Sequence, residues 1–461
     1  MKIVFVGNCQ AGALRALYDK YVQPYTKAET SHVRRWIRQT EVDQQTVAQA
    51  DRLAVQEQAF ATQQLPSDRP EHRFPVVIGT FLWPFAGMER VGNEVTADCQ
   101  QGPFPADMSD SHLDRAIQAG TDVETAARAY IDLDVTTVTD LDRLYDITIA
   151  KQRRLDETLG FQVARIIADH FRDEALFTTV THPGPRIMKH LAVTLFRDMG
   201  VDEAILRRIE TWERGTMLPS AECPIHPSVA RHFGLRYVDH GTLYRFHHEG
   251  RFSFADAVRR YLTGAWNPRL AEALGLVRRG GDPAAIRPLL EQALKQSPES
   301  APGWIALAGS RQRLGDNDGA IRAARNAVLH DPDIASHHSF LAGLLLRSGD
   351  QDGARQAHMM AHRFDPGAHF NRLRVPFALM QLGDVTTALR LMREQAADPI
   401  EPFDPPRYVL LTRLLDRAGE TDEAMRVAHE ADALYPGNEA IGKLLTLLAR
   451  RLSVRAKQTR T

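Results

Sequence analysis

Two side chains in this sequence have the type and setting for covalent chemistry, Cys9 and His182. Cys9 stands in the run Met1-Lys2-Ile3-Val4-Phe5-Val6-Gly7-Asn8-Cys9-Gln10. There an apolar, β-branched stretch with the character of a buried strand breaks at Gly7, and the pattern from Ala11 to Tyr18 is that of an amphipathic helix. A cysteine at a strand-to-helix turn meets unpaired amides and the positive end of the helix dipole, which favour the thiolate. This placement predicts a lowered thiol pKa and a nucleophile. Most free cysteines are small buried hydrophobes. What argues otherwise here is the pair of flanking amides, Asn8 and Gln10, which can hold a carbonyl oxygen or a ligand. His182 closes the strand-like segment Ala175 to Thr181 and precedes Pro183-Gly184-Pro185, so it reads as a loop histidine held by a rigid turn. It can act as general base to Cys9 if the fold brings the two within hydrogen-bond reach. Parallel sheets gather strand carboxyl ends on one side, which makes that meeting plausible for two residues that each follow a strand.

Other polar clusters are candidates for binding. Ser109-Asp110-Ser111-His112 has the form of a helix start, with Ser or Asp at the cap, and its polar groups can also meet a substrate. Lys151, Arg153 and Arg154 form a basic cluster on a long helical stretch, a solvated face or a grip on phosphate. No Gly-x-Gly-x-x-Gly and no Walker loop occurs, which disfavours dinucleotide enzymes and nucleotide hydrolases. The three cysteines, Cys9, Cys99 and Cys223, are far apart with no Cys-x-x-Cys spacing, so neither a disulfide framework nor a metal site is expected. A net charge of −1 implies no bulk attraction to nucleic acid or anionic membrane. The apolar N-terminal run is too short for a signal, and no segment has the length to span a bilayer. A cytoplasmic protein is the expectation.

These residues need elements to position them. The chain is 461 residues long, which implies more than one domain. Strands are expected at residues 52–58 and 75–79. The polar stretch 27–49, with His32, Arg34, Arg35 and Arg38, is expected to be helical, its arginines a solvated face before an anion-binding one. A long helix is expected from Asp140 through Leu159, continuing to Phe171, and another from Arg186 to Met199. The N-terminal part therefore reads as an α+β or α/β domain with a small parallel sheet in a largely helical core. From Phe252 the pattern turns wholly helical. Gly281, Gly315, Gly349 and Gly383 recur every 34 residues, and Gly419 follows after 36. Pro298, Pro332, Pro366 and Pro436 each lie 17 residues after one of these glycines. With Trp304, Leu307, Ala320 and Ala327 this is the tetratricopeptide pattern, in which glycine makes the turn between paired helices and proline follows the second. The expected domains are 1–255, an all-α repeat solenoid over 256–452 closed by a capping helix from Glu439 to Leu452, and a disordered basic tail over 453–461.

The turn Gly7-Asn8-Cys9-Gln10, the segment Ser109 to His112 and the turn Thr181-His182-Pro183 together resemble the WcbI-type polysaccharide biosynthesis acetyltransferases, over roughly residues 1–250. The resemblance implies a coenzyme A-binding domain that transfers an acetyl group from acetyl-coenzyme A to a sugar hydroxyl of capsular or other surface polysaccharide. Carried onto this sequence, it puts Cys9 at the active centre with His182 beside it. Gly7, Asn8 and Gln10 line the acyl or pantetheine site, with Ser109, Asp110, His112, Lys151, Arg153 and Arg154 as further coenzyme-binding candidates. The repeats imply docking of a protein partner. Two mechanisms stay open. Cys9 takes the acetyl group covalently, or His182 activates the sugar hydroxyl while Cys9 and nearby amides hold the oxyanion. Two other functions also stay open, a thioesterase or sugar deacetylase using Cys9 and a non-enzymatic repeat scaffold.

Overall fold

A computed structural model describes residues 1–34, 43–57, 70–87, 89–210, 221–365, 369–397 and 404–458. Four parallel strands, β1 (Lys2–Gly7), β2 (Glu29–Arg34), β3 (Arg52–Glu57) and β4 (Glu71–Pro75), form a sheet in the order β2-β1-β3-β4. β1 is central and apolar on both faces. Val4 and Val6 pack with Val33, Val47, Leu53 and Val55 on one side. On the other, Phe5 meets Tyr18 and Phe196, whose rings lie edge-on to each other at 5.3 Å. The chain leaves β1 for one neighbour and later returns to the other. The carboxyl end of β1 is thus the point where strand order reverses, and such points open a crevice for ligands.

Several elements depart from the expectations. Residues 29–34 form the edge strand β2 rather than a helical face. Only Val33 of this strand is buried, so its exposed polar residues carry no strand pattern. Arg35 and Arg38 lie outside the described residues. The strand expected at 75–79 is displaced to β4, because the amides beyond it have other partners. Val77 N donates to Gln10 Oε1 and Gly79 N donates to Val180 O. The helix expected over 140–171 is two helices, Leu141–Leu159 and Val163–His170, separated at Gly160, which caps the first with φ 76°. His182 belongs to an antiparallel hairpin of β5 (Phe177–Thr179) and β6 (His182–Pro183), not to the parallel sheet.

From Pro268 onward the chain is a series of antiparallel helix pairs, the all-α tetratricopeptide solenoid expected from the glycine and proline spacing. Gly315, Gly349, Gly383 and Gly419 make the inter-helix turns with φ between 80° and 87°. In the first repeat the left-handed residue is Gly280 (φ 73°), one position before the expected Gly281. The last helix runs Glu439–Gln458, so most of the expected disordered tail is helical, its Arg, Ala, Lys and Gln residues continuing the helix without a breaker. The chain divides into two compact units, Met1–Val201 with Glu213–His337, and Asp202–Trp212 with His338–Thr461. The change from mixed to helical structure falls between β-strand Gly250–Ser253 and helix Phe254–Thr263. The helix Phe254–Thr263 lends Phe254, Ala257, Val258 and Tyr261 to a pocket otherwise lined by residues that precede it.

Candidate active site

Cys9 is the first residue of helix Cys9–Tyr21, and Asn8 caps it by accepting from Gln10 N at 2.8 Å. Gly7 makes the turn because no side chain fits there. A Cβ would stand 2.7 Å from Gln56 Cβ and 2.9 Å from Ala11 Cβ. Gln56 reaches over from β3, accepting from Asn8 N at 3.0 Å and donating to Gln10 Oε1 at 3.0 Å. The Gln10 amide nitrogen in turn donates to Val77 O at 2.7 Å and to Thr181 O at 2.8 Å. These bonds stitch the β1 turn to the β5–β6 hairpin, and the hairpin delivers His182.

His182 Nε2 lies 3.1 Å from Cys9 Sγ. On the other side of the ring, Nδ1 lies 2.9 Å from Thr179 Oγ1 and 3.1 Å from Asp107 Oδ2, while Thr179 Oγ1 donates to the same carboxylate at 2.8 Å. A thiol, an imidazole and a carboxylate stand in line, the geometry that a catalytic triad also has. With Nδ1–H directed at Asp107 and Thr179, Nε2 presents its lone pair to the Cys9 thiol.

The electrostatics differ from the sequence expectation. Burial, helped by the Asp107 charge, pushes the Cys9 thiol up to about 12. The amides at the helix start and the Arg34 charge pull the other way, and they lose. Removal from water therefore outweighs the helix terminus, and the resting sulfur is a neutral thiol. Burial likewise lowers the His182 pKa, with Asp107 opposing, so the imidazole is neutral too.

The other expected residues divide. Gln10 is fully buried and both ends of its amide are bonded to protein, so it positions the site instead of lining it. Asp110 caps helix Ser111–Gln118, accepting from His112 N and Leu113 N at 2.9 Å each and from Tyr130 Oη. Burial raises its pKa to about 6. Ser109 Oγ donates to Ala106 O and accepts from Gly87 N, and the His112 ring lies 5.1 Å from that of Phe85. Ser109 and Asp110 line an aromatic pocket with Trp83, Phe85, Tyr130 and Phe254, which spans about 710 Å3 to its open mouth. Neither Cys9 nor His182 lines it; Asp107, 3.1 Å from His182 Nδ1, immediately precedes Met108 of its wall. Arg153 and Arg154 are exposed on the outer side of helix Leu141–Leu159, and none of their described contacts reaches Cys9. Sequence reasoning missed Asp107, Thr179 and Gln56. It also put Arg34 on a helix, whereas Arg34 ends β2 and its charge is felt at Cys9. The only local signal for Asp107 is an acid two residues ahead of the Ser109 segment.

Residues 2–204 match the family model described as polysaccharide biosynthesis enzyme WcbI. A solved structure of WcbI, described as a novel polysaccharide biosynthesis enzyme and as the native protein without a disulfide bond between coenzyme A and a cysteine, is 14% identical. The similarity covers 71% of this chain and 98% of that one, with a TM-score of 0.42. The MamA protein is 16% identical over 37% of this chain and 96% of its own, with a TM-score of 0.33. Pseudomonas aeruginosa PilF is 19% identical over 41% of this chain and 85% of its own, with a TM-score of 0.31. No curated protein matches the sequence. No helix among the described residues is long and apolar enough to cross a membrane. The residues matched by the WcbI polysaccharide biosynthesis enzyme model, 2–204, include Cys9, Asp107 and His182.

Proposed function

We propose that this chain transfers an acyl group, acetyl in the simplest case, from a coenzyme A thioester to a sugar hydroxyl during polysaccharide biosynthesis, with the repeats docking a protein partner. The observation that carries the reading is the alignment of Cys9 Sγ, the His182 ring and Asp107 within hydrogen-bond distances. His182 takes the thiol proton through Nε2 as sulfur attacks the thioester carbonyl. The bond from Sγ to the acyl carbon forms, the bond to the coenzyme sulfur breaks, and the imidazolium returns its proton to the departing thiolate. Asp107 stabilises that transient imidazolium and fixes the tautomer. In the second half, Nε2 removes the proton of the sugar hydroxyl, its oxygen attacks the acyl-cysteine, and Cys9 leaves and is reprotonated. Arg34 at the carboxyl end of β2 is proposed to attract the donor's phosphates towards the Cys9 turn, ahead of Lys151, Arg153 and Arg154.

The high thiol pKa favours a second reading, direct transfer. There His182 deprotonates the sugar hydroxyl and the protonated Cys9 only lines the oxyanion site. Calorimetric titration with coenzyme A and acetyl-coenzyme A, followed by intact-mass spectrometry of the acetyl-coenzyme A sample, tests both. Binding plus a single acetyl adduct on Cys9, absent in Cys9→Ala, is expected. Binding without an adduct selects direct transfer, and binding of neither ligand overturns the acyltransferase.

A further inference from the structure

The aromatic pocket that has Ser109 and Asp110 in its wall spans about 710 Å3 to its open mouth. Its surface is mostly hydrocarbon, from Leu82, Phe85, Phe104, Phe246, Phe254 and Val258. The rings brace one another. Tyr130 stacks on Phe254 with centroids 6.1 Å apart, and Phe104 lies 5.1 Å from both Phe246 and Tyr261. The slot is thus formed before a ligand arrives. The polar groups of the wall are spent on the protein. Trp83 Nε1 donates to Cys223 O and Pro224 O at 3.1 Å each. Tyr130 Oη donates to Asp110, and Tyr261 Oη donates to Asp114 at 3.0 Å while accepting from Asp110 N at 2.9 Å. His226 donates through Nε2 to Tyr130 O at 2.8 Å and accepts at Nδ1 from Ser228 N at 3.1 Å. Glu222 accepts from Arg245 N at 2.9 Å, and two bonds of 2.7 Å clamp the Arg245 guanidinium onto Asp331. Burial raises the Asp110 pKa and pushes the Cys223 thiol well above its ordinary range, as walls that hold little water do.

Two stretches of chain join this pocket to the Cys9 centre. Met108 of the wall follows Asp107, the partner of His182. Cys223 N donates to Thr178 O at 2.7 Å, beside Thr179, which bonds both Asp107 and His182. The Asp107 charge raises the thiol pKa at Cys9 and at Cys223, so one carboxylate is felt in both places. We infer that the pocket receives the hydrocarbon chain of the acyl group, and that the donor is a medium-chain acyl-coenzyme A, hexanoyl in the central case, in preference to acetyl. The inference rests on the acyltransferase reading of Cys9 and names the group transferred. A sugar or a nucleobase placed there would bury hydroxyls or ring-edge groups against partners already taken, which is costly. A methylene chain asks for no partner and gains from each carbon withdrawn from water.

The test is calorimetric titration of the full chain carrying Cys9→Ala, which holds the thioester without turnover. The ligands are coenzyme A and its acetyl, butanoyl, hexanoyl and octanoyl thioesters. Affinity is expected to rise about fourfold per added methylene, to about 100-fold or more for hexanoyl over acetyl. Ala257→Phe, whose ring occupies the pocket, is expected to reduce that ratio about tenfold or more, and Ala257→Leu to reduce it less; thermal melts check that both fold. Equal affinity for acetyl and hexanoyl, or a ratio that neither Ala257 variant moves, overturns the inference and leaves the acyltransferase reading standing. If the variants weaken coenzyme A itself as much as its hexanoyl thioester, the pocket is a coenzyme subsite and the inference fails. Binding of none of the five ligands overturns both.

Discussion

Replacing Asp107 with Asn preserves shape and removes one negative charge, and the structure assigns opposite signs to its two effects. The carboxylate sits 3.1 Å from His182 Nδ1, so the charge centres lie about 4 Å apart. At an effective dielectric constant of ~20 that separation stabilises an imidazolium by about 4 kcal/mol. Every 1.36 kcal/mol is a factor of ten in rate, so Asp107→Asn should slow Cys9 acylation by as much as about 1000-fold, and by at least about 100-fold if water screens part of the charge. The same carboxylate raises the Cys9 pKa. Its removal should therefore move the midpoint for alkylation by iodoacetamide below the present value of about 12, making the thiol easier to ionise while the enzyme becomes slower. Acylation is followed by mass spectrometry with peptide mapping, which separates Cys9 from Cys99 and Cys223 and needs no sugar acceptor. A folded variant that keeps more than about a tenth of the wild-type rate would refute the role given to Asp107. A midpoint that rises would refute the electrostatics.

Two further substitutions probe how the site is held. Gln10→Ala strips partners from Val77 O, Val77 N and Thr181 O in the interior and should cost about 2–4 kcal/mol in urea unfolding; a loss below about 1 kcal/mol would mean the stitch is dispensable. Asp110 has a folded pKa near 6 against an ordinary 3.8, so the fold favours its protonated form. Its contribution is fully present below pH 3.8 and is lost as pH rises through about 6, a change of up to about 3 kcal/mol. Asp110→Asn keeps an oxygen for the two helix amides and should flatten stability across that window; an unchanged profile would place the titration elsewhere.

The parts of the site that were legible in the sequence are those fixed by local pattern. The apolar run of β1 broken at Gly7 announces the Cys9 turn, and the proline turn after Thr181 announces a held histidine. The tetratricopeptide pairs were readable because glycine and proline act within a few residues of where they stand. What escaped depends on contacts between distant segments. Asp107 bonds Thr179 across 72 residues, and nothing around Ala106–Met108 distinguishes it from any surface acid. Gln10 looked like a ligand-binding amide because its type and place were visible and its four partners were not. β2 was unreadable for a related reason: as an edge strand it presents mostly polar residues, and only Val33 reaches the core. The pKa of Cys9 was misjudged because the helix start is visible in sequence and the depth of burial is not.

Keeping the sulfur protonated against a neutral imidazole also governs its fate towards oxidants. Peroxides and disulfides react with thiolates, and a thiol with a pKa of about 12 offers roughly one free thiolate in 10^5 molecules at pH 7. The Cys9 sulfur is therefore held as a reduced thiol, and sulfenic acid should form on it slowly in the resting protein. In the proposed mechanism, readiness to react resides in the His182–Asp107 pair, which supplies the base only to a ligand that has already reached the sulfur.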